Sequence, residues 1–216
     1  TSISSQLEVA LQRERNAVDY KNILQSILQD VRHMSKLTQT LLEFAKASGN
    51  PGGLEINIIR IDEVLMRLPA DMAKANAAYT VQLSFDELPA DESQLLVYGN
   101  EELLFTAIKN IVNNACKYSS NHEAWITLQV NKNKIIVEVR DSGIGIPDNA
   151  LKKIFQPFYR VDESRHTEGF GLGLSLASRI IKLHKGTLNV TSLVGKGTTF
   201  HITFPTAQML TGNNSN

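Results

Sequence analysis

Between residues 19 and 47, Tyr20, Leu24, Ile27, Val31, Met34, Thr38, Leu41 and Ala45 follow one another at alternating steps of four and three. That spacing makes a heptad seam along one face of a long helix, and a stripe so narrow needs a facing helix to cover it. Asn16, with Asp19 three residues later, has the arrangement of a helix N-cap. Upstream, Ile3, Leu7 and Ala10 repeat the spacing over a shorter stretch, and Arg13 to Val18 reads as the turn of a helical hairpin. One hairpin offers few apolar layers. It either lies against the next domain or pairs with a second copy into a four-helix bundle.

Ser48-Gly49-Asn50-Pro51-Gly52-Gly53 ends the long helix, because glycine suits its C-terminal cap and proline cannot continue it. The chain therefore divides into a hairpin at 1–48, a linker at 49–53, a domain at 54–206 and a tail at 207–216. In the domain the pattern is mixed. Strands are predicted at Leu54–Ile59, Tyr79–Phe85 and Leu95–Tyr98, and helices at Asp62–Ala77, Glu101–Lys117 and Leu172–His184. Ala124–Val130 and Lys134–Arg140 form a hairpin about Asn131-Lys-Asn133, and Thr187–Thr191 with Thr198–Phe204 form the last one. Without regular alternation of strand and helix, this is an α+β pattern: a mixed sheet with helices on one face. Trp125 is expected in the core, Cys116 on the helix face toward the sheet, and the polar tail is expected to fray from Thr206.

Composition narrows the function classes. Lysine plus arginine equals aspartate plus glutamate at 22 each, so no strong field favours nucleic acid or an anionic membrane. No apolar run approaches the roughly 18 residues of a membrane span, and no signal peptide is visible at the N-terminus. One cysteine excludes an internal disulfide and fits a reducing compartment. The five histidines show no metal-site spacing.

The candidate chemistry lies in four short motifs. Asn110-Ile-Val-Asn-Asn114-Ala-Cys-Lys117-Tyr118 places Asn110 and Asn114 on one helix face, where two carboxamide oxygens can ligate a hard cation. Lys117, a turn further on, can reach phosphate, and the ring of Tyr118 can lie against a base; a polar solvent face is the bland alternative. Asp141-Ser-Gly143-Ile-Gly145-Ile-Pro147 puts a carboxylate at a strand end, where it can accept from the exocyclic amine of adenine but not from guanine, which has a carbonyl there. The bland alternative is a turn leading to a helix near Pro147. Gly169-Phe-Gly171-Leu-Gly173-Leu174 opens a helix whose backbone amides can cradle phosphate; its spacing is not that of a dinucleotide fingerprint, and no Walker motif exists. Gly195-Lys-Gly197-Thr198 sits between two strands and can be simply a hairpin turn.

In this order the motifs resemble the N, G1, G2 and G3 boxes of sensor histidine kinases, and Phe155-Gln-Pro157-Phe158-Tyr-Arg160 resembles their F box. The resemblance covers nearly the whole chain. It implies a two-layer ATP-binding sandwich of the Bergerat type, preceded by a hairpin that dimerises. It also implies magnesium held by Asn110 and Asn114, and ATP held by those two with Lys117, Tyr118, Asp141, Gly143, Gly145, Ile146, Gly169, Gly171, Leu172, Gly173, Leu174 and Thr198. Arg160 and Arg165 would contact the γ-phosphate from a mobile lid over residues 148–169, with Phe155 and Phe158 anchoring it in apolar surroundings. The implied reaction moves the γ-phosphoryl group to a histidine, for relay to an aspartate of a response regulator. The family's acceptor segment, similar to His-Glu-x-Arg-Thr-Pro-Leu, is expected about seven residues before Thr1 by alignment to the family pattern, so no catalytic residue is assigned. His33 lacks the flanking acid and proline and is expected to be a solvent-exposed helix residue. The implied setting is cytoplasmic, with a parent protein that can be anchored in the cell membrane. Two alternatives stand beside this reading. One is a hydrolysing ATPase of the related GHKL group, which uses a glutamate where this chain has Asn110. The other is a non-catalytic helical interaction module whose glycines are only turns.

Overall fold

The alternation of apolar residues in the second half of the chain builds one sheet face. In β4 (Glu123–Asn131), Ala124, Ile126 and Leu128 are buried; in β5 (Lys134–Arg140), Ile135, Val137 and Val139; in β7 (Gly197–Pro205), Phe200, Ile202 and Phe204. A strand turns successive side chains to opposite faces, so these nine residues make one apolar surface. With β2 (Thr80–Phe85) and β6 (Thr187–Leu193) the sheet runs in the order β2-β4-β5-β7-β6; β2 pairs parallel with β4 and every other pair is antiparallel.

In this computed structural model, residues 3–12, 14, 16–48, 55–85, 88–131, 133–161 and 170–208 are described. Within the first two helices the side chains of residues 5, 6, 29, 33, 36, 37, 39–41 and 43–48 lie outside that description. The chain separates into one unit within Thr1–Lys46 and a second within Ala47–Asn216. The expected linker at 49–53 lies outside the described residues.

The first unit holds α1 (Ile3–Leu11) and all but the last two residues of α2 (Ala17–Ser48). Asn16 caps α2 as its sequence suggests, its Oδ1 accepting from the Asp19 amide at 2.8 Å. Seam residues Tyr20, Leu24, Val31 and Met34 are exposed. The side chain of His33 lies outside the described residues, and its expected exposure with it.

The second unit adds β1 (Asn57–Arg60), α3 (Ile61–Met66), α4 (Leu68–Ala75), a 3-10 turn at Glu92–Leu95, β3 (Leu96–Gly99), α5 (Glu101–Tyr118) and α6 (Gly173–Leu183). β1 and β3 form a separate antiparallel ribbon. α5 follows from its sequence: Asn100 caps it by accepting from the Leu103 amide at 3.0 Å, Glu101 and Glu102 meet the positive end of its dipole, and Lys117 lies at the negative end. Its inner face buries Leu104, Ile108 and Ile111 completely, and α6 contributes Leu176, Ile180 and Ile181 to the same layer. Each such side chain contributes about 1.5–3 kcal/mol of burial. Cys116 faces the sheet as expected, its Sγ 3.8 Å from the Thr80 carbonyl oxygen; burial and then the charge of Asp141 push its thiol up to about 11.

Three expectations change. The single helix at Asp62–Ala77 is two, α3 and α4, because Pro69 lacks an amide proton and its ring would collide with the Leu65 carbonyl. Arg67 at that break binds α5, its guanidinium 4.4 Å from the centre of the Phe105 ring and paired with Glu101 at 2.7 Å and Glu102 at 2.9 Å. Trp125 is not in the core: Ala124 and Ile126 point inward, so strand parity turns Trp125 to the opposite, half-exposed face. The helix near Pro147 that the bland alternative carried is also not formed, since residues 148–155 are turns. The chain does not fray at Thr206, which is 1% exposed with its amide donating to the Asn133 carbonyl, and Ala207 is buried; residues 209–216 lie outside the described residues.

Candidate nucleotide-binding site

Asp141 directly follows β5 and is only 5% exposed. Its Oδ1 accepts from the Gly143 amide at 2.8 Å and the Thr198 amide at 3.2 Å, and its own amide donates to the Thr198 carbonyl at 2.9 Å. Oδ2 takes no protein hydrogen bond among the described residues. Burial raises the carboxyl pKa, and the two amide donors oppose that shift. The result is a buried carboxylate with one oxygen held by the fold and the other available to a donor. The Thr198 amide is an element of this site that its placement on β7, 57 residues from Asp141, had concealed.

The backbone brings the other motifs to this carboxylate. A Cβ on Gly143 would overlap the Tyr118 carbonyl oxygen, and a Cβ on Gly197 the Asp141 carbonyl oxygen. Glycine is therefore required at both points by close approach of backbone to backbone. Ser119 and Gly143 form an isolated β-bridge, and Ile144 donates to the Tyr118 carbonyl at 3.4 Å. The start of the Asp141 loop is thus joined to the end of α5. On its far side the loop is joined to the final hairpin, where Gly195 donates to the Ile144 carbonyl at 2.8 Å and the Ile146 amide donates to Ser192 Oγ at 2.8 Å.

Asn110, Asn114 and Lys117 are half-buried on one side of α5. The Nδ2 of Asn110 donates to the Thr106 carbonyl at 2.9 Å, so its Oδ1 is the free end of the carboxamide. That oxygen faces the start of α6, 3.0 Å from where a Cβ on Gly173 would stand. Lys117 Nζ stands 5.0 Å from the centre of the Tyr118 ring, and Tyr118 is exposed. Leu172 is buried as the N-cap of α6, and Leu174 and Ile146 are half-buried. Phe158 donates its amide to the Gly171 carbonyl at 3.0 Å, which joins the fifth motif to the third. The side chain of Phe158 corrects an expectation: it is 63% exposed, at a φ of 65°, while Phe155 is half-buried. Arg160 is half-buried; Arg165 and Gly169 lie outside the described residues.

These contacts join five motifs, spread between residues 110 and 198, in a chain: the Asp141 loop touches the end of α5 and the final hairpin, Gly173 stands beside Asn110 of α5, and Gly171 binds Phe158. Residues 99–208, just over half of the chain, match the model of the histidine kinase-, DNA gyrase B- and HSP90-like ATPase family. The sensor histidine kinase RppB of Synechocystis sp. is 30% identical over 190 residues, covering 87% of this chain and 41% of that protein. Among solved structures, the Acinetobacter baumannii histidine kinase AdeS superposes with a TM-score of 0.70 at 19% identity, over 95% of this chain and 93% of that one. Full-length ShkA in complex with AMPPNP superposes with a TM-score of 0.68 at 22% identity, over 90% of this chain and 41% of that one. The chain belongs to the histidine kinase-, DNA gyrase B- and HSP90-like ATPase family, as a catalytic domain of the sensor histidine kinase type. It spans less than half the length of the curated relatives it matches.

Proposed function

We propose that this chain is the kinase core of a two-component sensor: it binds magnesium-ATP and presents the γ-phosphoryl group to a histidine, for relay to an aspartate of a response regulator. The observation that carries this reading is the half-satisfied carboxylate of Asp141, buried where its own loop meets the final hairpin. Its Oδ2 accepts from the adenine amine, which a guanine base does not offer. Tyr118 and Ile146 flank the base, and Lys117, Arg160 and Arg165 neutralise phosphate charge. The backbone at Gly169, Gly171 and Gly173, with the positive end of α6, cradles the phosphates.

The donor set suits magnesium. Asn110 leaves its carboxamide oxygen uncommitted, facing the start of α6, because its nitrogen is engaged by Thr106, and Asn114 lies one turn away. An ion held by these two would neutralise charge on the phosphates. Asn110 also separates this reading from a GHKL-type hydrolase. A carboxamide cannot take a proton from water as a glutamate at that position does. The work left to the protein is positioning and charge neutralisation.

The homodimer belongs to the same proposal. The exposed seam of α2 has the spacing of a bundle interface, and a second copy supplies the missing face. The reading keeps the hairpin at 1–48 for pairing and 54–206 for nucleotide. It also keeps a cytoplasmic setting, with any membrane anchor in the parent protein; among the described residues no helix is long and apolar enough to cross a membrane.

Incubation with γ-labelled ATP tests the reading. Residues 1–216 contain no acceptor segment of the family pattern, so the chain alone stays unlabelled while it binds ATP. An acceptor-bearing hairpin supplied in trans gains acid-labile phosphohistidine, and Asn114→Ala lowers that transfer by at least about tenfold while the protein stays folded. Robust labelling of the chain at His33 overturns the assignment of the acceptor.

A further inference from the structure

Ser192 stands on β6, one residue before the strand ends, half-buried and in register with Thr198 on β7. Its hydroxyl meets three groups. Oγ accepts from the Ile146 amide at 2.8 Å, donates to the Gly197 carbonyl at 2.9 Å and lies 2.9 Å from Thr198 Oγ1. A serine hydroxyl has one proton and two lone pairs. A carbonyl can only accept, so the Ser192 proton belongs to Gly197. In the contact between the two hydroxyls Thr198 must then be the donor. Its single proton is thereby engaged, and Thr198 has only lone pairs left for anything else. The amide of the same residue holds Asp141 Oδ1 at 3.2 Å, so two side chains of one cluster, Asp141 and Thr198, have only acceptors left to offer a ligand.

We propose that Ser192 is a positioning residue that fixes the Thr198 hydroxyl as an acceptor and clasps the Asp141 loop, through Ile146, to the final hairpin. In this way it makes the site prefer a purine with a 6-amino group to one with a 6-carbonyl group. The inference rests on the nucleotide reading above and adds a determinant that touches no nucleotide itself. Its place in the chain explains why no motif signals it. Ser192 is 46 residues from Ile146, and its role exists only in the register that sets it opposite Thr198.

The test compares magnesium-ATP with magnesium-ITP, whose base has a 6-carbonyl and a proton on N1. Affinities are measured by calorimetry and thermal stability alongside, for the unsubstituted chain, Ser192→Ala, Ser192→Thr and Val190→Ala. Val190 is half-buried on the same strand and serves as a structural control. Ser192→Ala frees the Thr198 proton to donate, so the preference for ATP over ITP falls about tenfold, the scale of one hydrogen bond. Ser192→Thr keeps a hydroxyl and keeps the preference. Val190→Ala lowers the melting temperature and leaves the preference in place. If Ser192→Ala does not fold, Ser192→Cys gives the same readout, because a thiol keeps the volume but is a weak donor and acceptor. A preference unchanged within about twofold in the folded variant, or lost equally in Val190→Ala, overturns the inference. Failure of the unsubstituted chain to bind either nucleotide overturns the nucleotide reading itself, and this inference with it.

Discussion

Two helical regions of this chain treat their apolar residues in opposite ways. In α5, Leu104, Ile108 and Ile111 are wholly buried against the sheet and α6, whereas in α2, Leu24 and Met34 are 61% and 60% exposed. Both helices are long and periodic. The difference is in the partner: α5 finds its cover within its own unit, and the described seam residues of α2 retain exposed apolar surface. The second unit therefore covers the apolar face of α5 itself, while the described seam residues of α2 stay exposed, as the proposed pairing requires.

Breaking the seam gives the largest expected effect. Leu24→Lys with Val31→Lys places unpaired charges in the proposed bundle, which costs several kcal/mol and abolishes the dimer. Light scattering should read a monomer at concentrations where the unsubstituted chain is a dimer, with ATP affinity unchanged. A monomer in both cases removes the pairing proposal.

Ile111→Ala strikes the other side of the comparison. It leaves a cavity beneath α5, costs about 2–5 kcal/mol and lowers the melting temperature by about 5–15 °C, while the oligomeric state stays the same. If that variant dissociates the dimer instead, the two units are not independent in the way the burial contrast indicates.

How much of this was legible beforehand follows from the range of each interaction. α2 and α5 announce themselves through local periodicity and caps at Asn16 and Asn100, and strand alternation supplies the inward face of the sheet. Trp125 was equally legible: its neighbours Ala124 and Ile126 take the inward parity, and hydrophobicity alone placed it wrongly. Pro69 was visible too, as a break in the pattern of Asp62–Ala77. The glycine and asparagine motifs were readable because each is a short loop or helix segment with its own chemistry. What no local pattern contains is pairing at long range: Ser192 with Ile146, the Thr198 amide with Asp141, and His184 with Asn100, 84 residues apart.

That last pair gives the smallest effect, and a pH signature. His184 is buried at the end of α6, its Nδ1 2.7 Å from the Ile180 carbonyl and its Nε2 accepting from the Asn100 amide at 3.0 Å. Burial lowers its pKa, opposed by the Ile180 carbonyl, and a protonated ring would lose the acceptor that Asn100 uses. The folded state thus binds the proton less readily than the unfolded state. The contribution is complete above the ordinary histidine value of about 6.5 and is lost as pH falls from there toward the lowered folded value, at no more than about 1.4 kcal/mol per pH unit. His184→Gln should flatten that part of the stability curve in denaturant titrations. A slope the same in both proteins assigns the acid loss to other groups.

The central claim is that Asp141 reads the adenine amine, and titration of magnesium-ATP into the unsubstituted chain and Asp141→Asn tests it most directly. The amides of Gly143 and Thr198 require an acceptor, so the asparagine must place its oxygen there and present its NH2 group where Oδ2 was. That group meets the adenine amine donor to donor. Asparagine is a cleaner probe than alanine, which would leave both buried amides without a partner. The account predicts that Asp141→Asn stays folded and binds magnesium-ATP about 10- to 150-fold more weakly, the equivalent of about 1.5–3 kcal/mol. Undiminished affinity in the folded variant would contradict it.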